Sequence, residues 1–137
     1  MIDTLCAIKR EASLAGFAHI FDPPERYPYP DAETRAELEA FVARGAHVLL
    51  DREERGYALV EGDWLHQLFV RPAAWGTGVA AELHDRAIAL GGRRLWVMEK
   101  NARARRFYEQ RGWREDGRTR VVPFAPHPTS LGYSYEP

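Results

Sequence analysis

Two short segments hold the residue types best suited to chemistry. In the first, Val70-Arg71-Pro72-Ala73-Ala74-Trp75-Gly76-Thr77-Gly78-Val79-Ala80-Ala81, a strand-like run stops at a proline and resumes as a helical pattern behind two glycines. Glycine has no Cβ, so a ligand can approach the backbone closely, and the first amides of a helix are unpaired at its positive dipole end. Such a corner suits an anion, and a pyrophosphate is its natural guest. In the second segment, Leu95 to Trp113, Asn101 stands where it can cap a helix that carries Phe107 and Tyr108 and closes at Gly112. On residue type alone those aromatics can fill a core, and a phenol can also deliver a proton to a leaving group. His66 belongs to a third run, Trp64–Val70, and shares a strand face with Trp64 because side chains alternate with period two. Its ordinary pKa near ~6.5 suits a general base, with Glu61, Asp63 and bound water as alternatives.

The elements that must position these residues follow from periodicity. Leu5, Ile8, Ala12, Ala15 and Ile20 predict a helix over 4–20 with Asp3 as a cap; the proline-rich stretch 22–30 then forms an aromatic-bearing loop. Asp31 caps a second helix that Gly45 stops. Ala46–Asp51, Tyr57–Glu61 and Trp64–Val70 read as an antiparallel meander. Val79, Leu83, Ala87 and Leu90 share one helical face, and Leu95–Met98 then makes a buried strand, parallel to its predecessor because a helix joins them. A short helix from Asn101 to Gln110 and strands near 113–122 and 129–135 complete an α/β chain of order ααβββαβαββ, with helices on both faces of a mixed sheet.

Composition narrows the function classes. At 137 residues the chain fits one domain, 1–137, with 45% apolar and 28% charged residues. No apolar run is long enough for a bilayer and the first residues lack a secretory pattern, so a cytoplasmic protein without a membrane partner is expected. Cys6 is the only cysteine, and the five histidines lack metal-ligand spacing, so no metal is expected. Seven basic and thirteen acidic residues fall in 1–70, against twelve and seven in 71–137. A basic second half suits a polyanionic ligand, but no basic stripe with interleaved aromatics favours nucleic acid. Only Lys9 and Lys100 are lysines among 19 basic residues, which points to a GC-rich bacterial genome.

The segment from Val70 to Ala80 resembles the acetyl-CoA motif of the GNAT superfamily, V-x-P-x-x-(Q/R)-G-x-G-(I/V)-(G/A), with Trp75 where a Gln or Arg is usual. Asn101 to Trp113 is similar to the family's N-x-x-A-x-x-F-Y-x-x-x-G-(F/W) signature at every position. The resemblance implies a GNAT-like fold, an antiparallel meander leading into a parallel β-α-β crossover, and acetyl-CoA as co-substrate of an N-acetyltransferase. It implies that Leu68, Phe69 and Val70 flank the pantetheine, that Gly76, Thr77, Gly78, Val79, Ala80 and Ala81 hold the pyrophosphate, and that Asn101 touches the cofactor. Tyr108 becomes the general acid for the departing thiolate. Many members carry a glutamate where this chain has Trp64, so no carboxylate base transfers, and His66 is the candidate. The family's usual first strand is missing; the edge beside 46–51 is then open to a second copy in a homodimer.

The acceptor, a small-molecule or protein amine, is not specified, although loops 22–30 and 123–128 should wall it with Tyr27, Tyr29, Phe124 and His127. Two alternatives remain. The glycine segment also fits G-x-G-x-x-(G/A) with Glu99 further on, which would suit a dinucleotide-binding protein. The missing base would suit a GNAT-like module that binds acyl-CoA without catalysis.

Overall fold

The structure is a computed structural model that describes residues 1–137. Helix α1 spans Ile2–Gly16 and α2 spans Asp31–Ala43. Strands β1 (His47–Leu50), β2 (Gly56–Glu61) and β3 (Trp64–Val70) follow, then a single 3-10 turn at Pro72–Ala74. Helix α3 (Val79–Ala89), β4 (Arg94–Met98), α4 (Ala102–Glu109), β5 (Trp113–Val121) and β6 (Thr129–Tyr135) complete the chain.

The predicted order of elements is the observed one, with two local corrections. Helix α1 ends at Gly16 rather than 20, because the amides of Ile20 and Phe21 turn back onto the Phe17 carbonyl. Ile20 is buried through that turn, so it extends the apolar spacing without extending the helix. Asp3 and Asp31 sit inside the first helical turns, behind Met1 and Pro30, and cap neither helix. Their carboxylates there still complement the positive end of the helix dipole.

The six strands form one sheet in the order β1-β2-β3-β4-β6-β5, and β3–β4 is the parallel pair among antiparallel neighbours. Alternation sends the side chains of each strand to two cores. Ala58, Val60, Leu65, Val70, Leu95 and Val97 pack with Val79, Leu83 and Ala87 of α3 and with Tyr108 of α4. Tyr57 and Leu59 face the other way, onto Leu5 and Ile8 of α1 and Leu38 of α2. Each fully buried aliphatic side chain contributes about 1.5–3 kcal/mol. On its outer side β1 has no partner strand within residues 1–137.

Strands β3 and β4 meet only at Trp64 and Arg94. There the Asp63 carboxylate accepts two hydrogen bonds from the Arg94 guanidinium, both at 2.9 Å, and the Asp63 carbonyl accepts from the amides of Arg93 and Arg94 at 2.8 and 3.0 Å. Beyond this junction no further backbone pairing links the two strands, although Trp64 and Trp96 still stand side by side across them.

A buried histidine ties α3 to β5. The Trp113 indole N–H donates to His84 Nε2 at 2.9 Å, so the ring proton resides on Nδ1, 3.1 Å from Asp85. Burial pushes the His84 pKa below its ordinary value, against the opposing pull of Asp85. The folded state therefore binds this proton less readily than the unfolded chain does. The resulting stability is complete above the unfolded pKa of about 6.5 and is lost as pH falls below it. Melting temperatures measured from pH 8 to 5 should fall most steeply below about pH 6.5. His84→Gln keeps an acceptor but cannot titrate; it should flatten that fall, and an unchanged slope would assign the effect to another group.

Candidate active site

The glycine corner has the strand-to-helix backbone that its sequence predicts. Gly76 and Gly78 have φ of +78° and +91°, where L side chains are strained, and Gly78 is the N-cap of α3. The amides of Gly76, Gly78, Val79, Ala80 and Ala81 make no hydrogen bond within the chain, so they are available to an anion. They open on a groove of about 380 Å³ that is also lined by Leu68, Phe69, Val70, Asn101 and Tyr108. Two expected members do not line the groove, and of these Val79 keeps a free amide whereas the Thr77 amide donates to the Ala74 carbonyl at 3.3 Å. The Thr77 hydroxyl is turned onto the Ala74 carbonyl at 2.5 Å, and the Val79 side chain is buried in the α3 core.

Trp75 alters the groove in a way its sequence does not reveal. Its indole N–H donates to the Val70 carbonyl at 2.8 Å, which holds the ring against the strand end. The Arg103 guanidinium lies 3.5 Å from the centre of that ring and lines the groove, so α4 places a cation beside position 75. Local spacing carries no signal for this pair, which forms only when α4 docks beside the turn. Asn101 caps α4, its side-chain oxygen accepting from the Ala104 amide at 3.2 Å.

A second, larger cavity of about 860 Å³ opens where β3 and β4 part, between α1, α2 and the two expected loops. Tyr27, Tyr29 and Phe124 line it, whereas His127 does not; its Nδ1 lies 3.1 Å from the Val122 carbonyl, outside the cavity wall. The Ser13 and Tyr29 hydroxyls are buried in this wall without a hydrogen-bond partner. Trp64 and Trp96 stand 6.4 Å apart with their planes 12° from parallel, and His66 stacks 6.0 Å from Trp64.

His66 owes its direction to a β-bulge. Val60 pairs with Leu65 and Leu59 with Gln67, leaving His66 as the extra residue of β3. Both His66 and Gln67 consequently face α2: His66 packs on Phe41 at 4.6 Å, and the Gln67 amide donates to Glu37 at 2.8 Å. His66 Nε2 lies 3.2 Å from Glu61, whose carboxylate also takes two 3.0 Å hydrogen bonds from Arg44. Burial lowers the His66 pKa, outweighing Glu61, so the ring is neutral near pH 7. The competing carboxylates are poorer proton acceptors. Arg44 lowers the pKa of Glu61, and Arg94 lowers that of Asp63.

The two cavities meet at Tyr108. Phe17, Leu68, Phe69, Asn101, Ala104 and Tyr108 line both of them. Tyr108 is buried edge-on against Phe107 and Trp113, and its hydroxyl makes no hydrogen bond within the chain. Burial pushes its pKa well above the ordinary phenol value, so the proton is retained at neutral pH.

With its single parallel strand pair, the sheet lacks the parallel halves of a dinucleotide-binding fold. Solved structures share the architecture that is present. The apo form of YjaB from Escherichia coli is 25% identical, with a TM-score of 0.70 over 98% of this chain and 90% of that one. YncA from Salmonella typhimurium, solved with its cofactor acetyl-CoA, is 21% identical, with a TM-score of 0.64 over 99% and 90%. An uncharacterised N-acetyltransferase of Mycobacterium tuberculosis is 39% identical over 83 residues, 53% of each chain, so this chain spans about half the length of the curated relative it matches. Residues 14–113 match the Acetyltransferase (GNAT) family, well over half of the chain, and the protein therefore belongs to that family.

Proposed function

We propose that this protein transfers the acetyl group of acetyl-CoA to a primary amine, with Tyr108 as general acid and His66 as general base. The observation that carries the reading is the junction: one phenol, free of hydrogen bonds, stands where a groove lined by unpaired amides runs into a separate, aromatic-walled cleft. The unpaired amides of the glycine corner and Arg103 suit the phosphates of CoA, and the apolar wall of Leu68, Phe69 and Val70 suits its pantetheine arm. The solved YncA structure, with acetyl-CoA bound on this fold, supports the same ligand.

The amine enters from the larger cleft. Its nitrogen attacks the thioester carbonyl, the C–S bond breaks, and the nitrogen loses a proton while the sulfur gains one. His66 takes the first proton: with Nε2–H donating to Glu61, Nδ1 keeps its lone pair, and the lowered pKa keeps the ring neutral. Tyr108 supplies the second. The desolvation that holds its proton also raises the proton affinity of a thiolate formed beside it, so transfer does not require a more acidic phenol.

Three variants test these roles. Gly78→Asp places a negative charge at the N-terminus of α3 and should abolish CoA binding in calorimetry while a thermal melt shows the fold retained; wild-type affinity would put the cofactor elsewhere. Tyr108→Phe keeps the ring and removes the proton, so turnover should fall about 10²–10⁴-fold with CoA affinity nearly constant. A loss within about threefold under single-turnover conditions would remove Tyr108 from the chemistry. For His66, the wild-type kcat should rise with pH along a limb below about 6.5 and then level off. His66→Gln should shift that limb upward, toward the amine's own deprotonation near ~10.4. An unmoved limb would exclude His66 as the base.

A further inference from the structure

Three cations line the larger cleft, and two of them are already spent. Lys9 pairs with Glu37 at 3.3 Å, and Arg44 holds Glu61 through two nitrogens. Arg120, on β5, has no carboxylate and no hydrogen-bond acceptor within the chain. Its guanidinium rests 4.5 Å from the centre of the Trp96 ring. The neighbouring arginines on this aromatic wall differ in that respect. Arg94 lies over Trp64 and is neutralised by Asp63, while Arg118 lies over both tryptophans and is neutralised by Asp116.

We propose that Arg120 is a specificity-determining residue that receives a carboxylate carried by the acceptor, so that the acetylated amine belongs to an amino acid or a similar small amino carboxylate. This rests on the acetyl-transfer reading for the reaction, but the geometry of the site stands apart from it. Stacking on Trp96 occupies one face of the guanidinium and leaves its N–H edges free, and those edges match the two oxygens of a carboxylate. Arg120 is exposed on β5, but partial desolvation of its guanidinium in the cleft and the nearby Arg118 charge lower its pKa, an effect that a bound anion opposes. Glu37 on α2 is near enough to act on the charge of Arg120 without forming an ion pair with it. A group with a single negative charge matches a site holding one uncommitted cation, and the unpaired Asp22 carboxylate on the same cleft wall adds to the cost of bringing in a dianion. The near-parallel Trp64 and Trp96 rings offer the carbon skeleton a flat wall, and His66 on the same wall takes the amine end.

The test is a panel of amino acids, each assayed beside the amine left by removing its carboxylate, with CoA release as the readout. Phenylalanine and phenethylamine form one such pair, and the aminophosphonate analogue of phenylalanine adds the phosphate-like arm. At least one amino acid should exceed its decarboxylated partner in kcat/KM by about tenfold, as expected for a hydrogen-bonded charge pair. Arg120→Gln should collapse that ratio, chiefly through KM, and Arg120→Lys, which keeps the charge but loses the fork, should restore part of it. Equal rates within every pair, a ratio that survives Arg120→Gln, or a preference for the aminophosphonate would each overturn the proposal while leaving acetyl transfer intact. If no amine is acetylated, the transfer reading fails, and quenching of tryptophan fluorescence by the same panel decides the site by itself. Carboxylate-dependent quenching lost in Arg120→Gln supports the proposal, and quenching without that dependence overturns it.

Discussion

The site depends on one constraint: β3 and β4 are held together at one end only. The Asp63 carbonyl and carboxylate engage the Arg93 and Arg94 backbone and the Arg94 side chain, which clamps the parallel pair at Trp64 and Arg94. Past that clamp the strands run apart with unpaired inner edges. A buried strand edge without partners is costly, so the gap must be filled by side chains or face solvent and ligand. Here Phe17 from α1 and Asn101, Ala104 and Tyr108 from α4 converge on it, and the two cavities meet among them. Closing the gap by full pairing would remove the junction and with it the route from groove to cleft.

Irregularities in two other strand pairs decide what faces that opening. The bulge in β3 turns both His66 and Gln67 toward α2, where regular alternation would hide one of them. On the far side, Asp116, Gly117 and Arg118 of β5 lie opposite the single residue Gly132 of β6. A Cβ on Gly132 would lie 2.8 Å from the Cβ of Arg118 and 2.6 Å from an Asp116 oxygen. The missing side chain thus lets Arg118 cross the sheet to reach Trp64 and Trp96, and the register resumes with Arg120 beside the same ring.

Charge within the cleft is sorted by pairing rather than by number. Glu61 and Asp63 are committed to Arg44 and Arg94, and those cations lower both carboxyl pKa values. What remains uncommitted is a neutral imidazole, a protonated phenol, one guanidinium and the Asp22 carboxylate at the loop wall. Tyr108 also shows that core and chemistry need not be alternatives: its ring packs between Phe107 and Trp113, and the same burial keeps its proton in place.

The order of helices and strands, the glycine turn and the Asn101 cap could all be read from the sequence, because each rests on local periodicity or on a few adjacent residues, whereas Tyr108 stands out from an ordinary core aromatic only through the family resemblance. The end of α1 could not, since Ile20 is buried by a turn that periodicity counts as helix. Nor could the insertion of β6 between β4 and β5, which is a choice among distant partners. Side-chain direction at Thr77 and Val79, the exclusion of His127 from the cleft and the bulge at His66 all depend on pairing register or loop path. Arg103 and Arg120 gain their significance from rings 28 and 24 residues away, Trp75 and Trp96. Tertiary structure decided these features because they are contacts between segments whose separation in the chain leaves no local trace.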